Sequence, residues 1–318
     1  MTYAQYGNIE ATDYNTLAGG NPTTTSGTIN AVWATGGTTA GYGQTAVANV
    51  AVGDTVTAAQ WASLVNNTSN SASHQGTSIT SVVAPVVGGT ITYLSAIPTN
   101  LTTIYNSRLN AATQGSTTSN AAVYSSTWST GLTFTHVITF STGDAARYFF
   151  NAGGQLKITC THANTTAGIN LLLNNLVSNI GTVALSAPST GSVTIAATAY
   201  NGVTKIGGGG TTPTISTNSG YFALGTSNTT IFTQTASTGP AGYLGTFISM
   251  IAKTNGTQGT NGDKGNIITI YTIWDEVPDG LVAGANSTTT VTIVPPESTY
   301  LPTASWGAPT ITGTATPI

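Results

Sequence analysis

Leu132-Thr133-Phe134-Thr135-His136-Val137-Ile138-Thr139-Phe140 decides the fold class. Successive side chains of a strand point to opposite faces. Leu132, Phe134, His136, Ile138 and Phe140 therefore share one face, and the other is mostly threonine. Strict alternation of this kind predicts a strand with one buried and one wet face. Working outward, Leu156, Ile158 and Cys160 line one side of a second strand after a Gly153-Gly154 turn. Further strands are expected at about 191–200, 221–235, 246–253, 266–274 and 288–294. Ile169, Leu172, Leu173, Leu176 and Ile180 break the pattern. Their helical spacing, with Gly181 placed to end the element, predicts one helix packed on the sheet.

Many short strands with frequent turn signals predict an antiparallel β-sandwich or a jelly-roll-like domain over 128–318. The stretch Thr113–Thr127 is polar and lacks either periodicity, so it is expected to be a linker. Residues 1–112 read as a small α+β amino-terminal part with short helices. Two helix starts echo one another there, Ile9–Leu17 and Val56–Leu64, with Tyr14 and Leu17 aligning with Trp61 and Leu64. Thr57 and Gln60 have the spacing of a capping box. A third helix is expected over about 98–112, with Leu101, Ile104, Tyr105 and Leu109 on one stripe. Gly/Thr-rich loops such as Ala34–Gln44 (ATGGTTAGYGQ) separate them, and Gly207–Gly210 reads as a flexible loop. The amino-terminal part is either an anchor that docks on a larger assembly or an ordinary small domain.

Charge is scarce. Charged residues make up 5% of the 318 residues, against about 25% in ordinary soluble domains, with a net charge of -3. Threonine is the most frequent residue at about a fifth of the chain, where leucine, alanine and glycine usually lead. Its β-branched side chain suits a pleated, half-wet surface. Hydrophobic residues at 39% and a small net charge argue against disorder. The basic residues Arg108, Arg147, Lys157, Lys205, Lys253 and Lys264 are scattered, so no phosphate-binding stripe and no nucleic-acid partner are expected. The most apolar run, about 82–94, is interrupted by Pro85, Gly88 and Gly89 and is too short to span a membrane. Residues 1–13 carry no basic and apolar leader pattern. Cys160 is the single cysteine, so neither an internal disulfide nor a thiolate metal cluster is expected.

The ionisable residues admit few chemistries. Glu10, Asp13 and Asp54 sit at expected helix starts, where acids favour the dipole. Asp144 and Arg147 are spaced for a local ion pair, and Asp263 lies in a turn. None of the nucleophile, zinc, phosphate-loop or dinucleotide motifs is present. No cofactor and no catalytic residues are expected. The isolated acids also argue against a polysaccharide depolymerase, which generally needs two placed carboxyls. The densest acidic spot holds Asp275, Glu276 and Asp279. Three carboxylates in five residues are suggestive of a hard-cation loop but lack the EF-hand spacing, and a plain charged turn is the alternative. His74, His136 and His162 are far apart, and His136, among apolar residues, reads as a core or interface histidine. Gly256–Gly265 keeps a Gly-x-y period without proline between two alternating strands. It reads as a hairpin loop rather than a collagen-like segment. The 13 tyrosines and 5 tryptophans suit sugar stacking, interfaces or small cores alike.

Ala145–Ile158 (AARYFFNAGGQLKI) resembles a recurring segment in virion structural proteins of tailed phages, notably those infecting cyanobacteria and other marine or soil bacteria. ATDYN at 11–15, GDTVTAAQW at 53–61 and WGAPTITGTA at 306–315 are similar to the same proteins. The resemblance implies a non-enzymatic virion component, a tail-, neck/collar- or fibre-type protein, and carries over no catalytic residue. The alternatives are a receptor-binding module for host surface glycans and a capsid decoration protein. Thr-rich, weakly charged strands have little protection against edge-to-edge pairing. A homo-oligomer, most simply a trimer, contacting other virion proteins is therefore expected.

Overall fold

A computed structural model describes residues 10–88, 95–164, 168–209, 212–236, 243–277 and 281–318. The chain is mainly β, as the alternation predicts. A five-stranded sheet runs β1(Thr118–Tyr124), β12(Ser287–Val294), β3(Gln155–His162), β4(Thr182–Leu185), β7(Val203–Ile206). A six-stranded sheet runs β13(Thr310–Pro317), β2(Gly131–Thr139), β11(Ile267–Asp275), β10(Phe247–Thr254), β9(Thr229–Thr235), β8(Thr214–Ile215). A small hairpin, β5(Val193–Ile195) with β6(Thr198–Tyr200), stands apart. Every named strand pair is antiparallel. The two large sheets stack in a sandwich-like arrangement.

β2 sits centrally enough to show why. Leu132, Phe134, His136 and Ile138 are all fully buried, while Thr133, Thr135 and Thr139 on the opposite face are half-buried. Phe134 meets Trp274 of β11 with ring centroids 5.6 Å apart. The packed helix α6(Ile169–Ile180) has the bounds that its leucine spacing gives, and it lies against β3 and β9. A second helix of this half, α5(Gly143–Asn151), caps its start with the Thr142 hydroxyl accepting from Ala145 N–H. Its Phe149 and Phe150 pack with Phe140.

The amino-terminal part is helical among the described residues, and no named strand falls in it. Among the described residues it holds α1(Ala11–Ala18), α2(Ile29–Val32), α3(Ala58–Gln75) and α4(Ala96–Asn106), joined by extended segments outside any sheet. The capping box forms in both directions, and Gly76 ends α3 in the left-handed conformation. Tyr14, Leu17, Trp61 and Leu64 are buried, with Tyr14 and Trp61 rings 5.9 Å apart. Ile9 lies outside the described residues.

The extended segments keep their backbone groups satisfied through asparagine side chains. Asn15 of α1 donates to Val50 C=O (2.8 Å) and accepts from Val50 N–H (2.9 Å). Asn30 of α2 does the same for Val47 (2.9 and 2.8 Å). Asn100 of α4 does it for Thr80 (2.8 and 3.0 Å). A primary amide offers one donor and one acceptor side by side. Each asparagine thus substitutes for a neighbouring strand at one residue.

The expected linker does not separate two bodies. Residues 118–124 form β1, paired along its length with β12, and Gln114 bridges to Pro296. The stretch was hard to read as a strand because its inward positions, Asn120, Ala122 and Tyr124, carry little apolar signal. One hydrophobic cluster runs from Tyr14, Trp61 and Leu101 through Phe149 and Phe150 to Phe134 and Trp274.

Candidate functional site

Two members of the acidic cluster at the end of β11, Asp275 and Glu276, are among the described residues. Asp275 is the last residue of β11, opposite Phe247 and Gly131. Glu276 is fully buried and clasps Thr130: its Oε1 accepts from Thr130 N–H (2.8 Å) and its own N–H donates to Thr130 C=O (3.1 Å). Asp279 lies outside the described residues. Among the described residues no three His, Cys, Asp or Glu side chains gather where they could hold a metal ion.

The expected Asp144–Arg147 pair forms at 2.8 Å and belongs to a larger junction. Arg147 is fully buried. Its Nη1 donates to Ala40 C=O (2.7 Å) and its Nη2 to Thr35 C=O (2.9 Å). Asn151, one turn later, donates to Ala40 and Gly41 C=O. α5 therefore holds the Gly/Thr-rich loop 34–44 of the helical part. Gly43, at φ +70°, lets Tyr148 lie on that loop; a Cβ there would sit 2.4 Å from the ring.

The loop between β10 and β11 completes the junction. Asn261 donates to Asp144 Oδ2 (2.9 Å), and Thr38 N–H donates to Asn261 C=O (2.6 Å). Within the loop, the Asp263 carboxylate accepts from the N–H groups of Gln258, Gly259 and Gly265. Burial alone would raise its pKa, but these donors hold it below the usual carboxylate range. The Gly-x-y stretch is a hairpin loop wound around one carboxylate, as expected.

The nearest approach to a catalytic arrangement is one the chain order hides. His162 Nε2 lies 2.9 Å from Asn170 Oδ1, and that oxygen also accepts from Gly284 N–H (2.6 Å). The proton is therefore on Nε2, and Nδ1 accepts from Ser287 Oγ (3.0 Å). A hydroxyl on an imidazole oriented by a third group is the logic of a hydrolase nucleophile. Here Ser287 is fully buried, and its oxygen also receives the Trp128 indole N–H (3.0 Å). In this arrangement the group ties β3, α6, β12 and the loop before β12 together. Burial holds the His162 pKa below its ordinary value, with the Asn170 bond opposing. Sequence reading misses this cluster because the residues come from distant elements.

The other histidines are also internal. His74 donates from Nε2 to Ala152 C=O (3.0 Å), and burial pushes its pKa down to about 4. His136 is fully buried on the inner face of β2. Opposite it on β13 stands Gly313. A Cβ on Gly313 would meet Asn120 Oδ1 of β1 at 2.3 Å and the His136 ring at 2.9 Å. The glycine lets the two sheets close together at this flank.

The surface offers three further features. An open groove of about 370 Å³ is lined by Pro22 and by hydroxyl, amide and glycine residues, among them Thr23, Thr38 and Asn261, and among the described residues by no aromatic ring. Val83, Val86 and Val87 are exposed in the segment that follows α3. The flank carrying β1 and β13 ends both sheets with strands of seven and eight residues, neither containing a charged side chain. β13 was not legible as a strand because Ile311, Gly313 and Ala315 make a weak inner face. The signal that was present is threonine at every second position, 310 to 316.

Comparison of the chain with protein-family models, curated proteins and solved structures finds no match.

Proposed function

We propose that this chain is a structural subunit of a tailed-phage virion, a tail-, neck/collar- or fibre-type component that acts by packing against copies of itself and neighbouring proteins rather than by catalysis. The observation that carries this reading is how the few ionisable groups are used. Arg147, Glu276, His74 and His162 each fasten a loop or strand end to another element, and Asp263 organises its own loop. An enzyme needs such groups in an accessible cleft with shifted proton affinities suited to the task. The resemblance of Ala145–Ile158 supplies the phage context, and that segment builds the Arg147 junction.

Gold labelling of the protein in intact particles, viewed by electron microscopy, tests the placement. Label at the tail or neck supports the reading, and label over the head surface moves the chain to capsid decoration. Absence from purified particles overturns the virion assignment. The second reading, recognition of host surface glycans, draws on the hydroxyl- and amide-lined groove at 22–24, 36–38 and 260–262. A glycan array probed with the full chain decides it, since binding to defined oligosaccharides would require a receptor role.

A further inference from the structure

The two flanks of the sandwich are protected very differently. On one, the edges are β8, only two residues long, and β7, a four-residue strand carrying Lys205. Short edges and lysine are the usual devices that stop a sheet from pairing with another. On the other flank the edges are β13 and β1, which lie close to one another. Among the described residues β13 pairs only with β2, and β1 only with β12. Neither strand carries a lysine, an acid, or an interior proline.

From this asymmetry we propose that β13 is an assembly edge: it pairs antiparallel with β13 of a second copy about a two-fold axis, joining two six-stranded sheets into one. The proposal rests on the reading of the chain as a self-associating structural subunit and names the surface and symmetry. The occupant is a second copy because the strand is complementary to itself. In a register centred on Gly313, Thr312 faces Thr314 of the other copy and Thr310 faces its Thr316, with Ile311 against Ala315 on the inner face. Cross-strand threonine pairs are favourable, and an uncharged strand meets its copy without repulsion. Any register shifted by two residues still sets threonine against threonine, so the exposed face stays matched. Thr310, Thr312, Thr314 and Thr316 are all exposed in the single chain. A two-fold interface uses the same patch on both partners. The axis through β13 therefore brings the two β1 edges, with Val123 52% exposed, toward each other.

Light scattering of the full chain at micromolar concentration should give twice the 32.0 kDa chain mass. Replacing both Thr312→Lys and Thr314→Lys sets like charges across the axis and should halve that mass. Thr230→Lys, on an exposed position of β9 in the same sheet, should leave it unchanged. The pair Thr312→Cys and Thr314→Cys should give a disulfide-linked dimer under mild oxidation. The natural chain should not, because Cys160 is buried. A monomeric natural chain overturns both self-association and this interface. An oligomer that resists the lysine pair and gives no cross-link, or a strictly trimeric mass, overturns the β13 pairing alone.

Discussion

Loops 34–50 and 77–86 of the helical part are held by single polar side chains: Arg147 and Asn151 on Ala40, Asn30 on Val47, Asn15 on Val50, Asn100 on Thr80. The two sheets are held by repetition, with eight or nine consecutive pairs in each of the β2–β11, β10–β11 and β3–β12 ladders. Both regions draw on the same charge-poor composition. In the first, order depends on a few groups with specific geometry. In the second it is distributed over many threonines and apolar residues, none of which is decisive. The contrast predicts that substitutions of equal chemical size will have very unequal effects in the two regions.

The largest effect is expected at Arg147. Arg147→Met keeps the aliphatic stem but removes the donor to Thr35 C=O and the guanidinium's bonds to Asp144 and Ala40, which keep only Asn261 and Asn151. Removing one member of a buried charged network costs about 3–5 kcal/mol. Urea unfolding should show that loss, and a change below about 1 kcal/mol would mean that loop 34–44 is held by something other than the guanidinium. Next comes acid. The folded protein keeps His74 neutral, with a pKa of about 4, whereas the unfolded chain takes up the proton near 6.5. The unfolded state then binds more protons between these values. Stability is complete above pH 6.5 and falls as the pH drops toward 4, by on the order of 3 kcal/mol. A thermal unfolding midpoint flat over this range would contradict it. His74→Gln should flatten the part of the curve that His74 causes.

What the sequence made legible follows the same division. The alternation of β2, β3, β10, β11 and β12 and the leucine spacing of α6 were readable, because repetition places a signal at every second or every third to fourth position. The clasps were not. Nothing in the sequence links Asn30 to Val47 or Arg147 to Ala40, since the partner is a main-chain group and carries no residue signature. The Ser287–His162–Asn170 group was hidden for a related reason, as its members are joined only once α6 lies against β3. In the acidic cluster, adjacency in sequence leaves open a shared ion or a charged turn, and only the structure shows that Glu276 turns inward to Thr130. β1 and β13 failed as strands because edge strands need only a weak inner face.

The asparagine clasps sharpen the comparison at intermediate size. Asn30→Asp preserves shape and the acceptor but removes the donor to Val47 C=O and adds a charge at a position only 1% exposed. A buried acceptor left unpaired costs about 1–3 kcal/mol. Asn100→Asp should lie in the same range, and Asn15→Asp below both because Asn15 is only half-buried. If all three were neutral, the extended segments would be held by packing and the two regions would not differ in kind. The smallest effect belongs to the sheets. Thr230→Lys on the wet face of β9 should change stability by no more than about 0.5 kcal/mol, since an exposed side chain with no partner contributes little. Thr314→Lys, on an equally exposed threonine of β13, should also leave the stability of the isolated chain within that range. An effect of the same substitution on association but not on folding would separate the two jobs of threonine here. On interior strands it wets a surface; on the flank, in the proposed pairing, it faces its own copy.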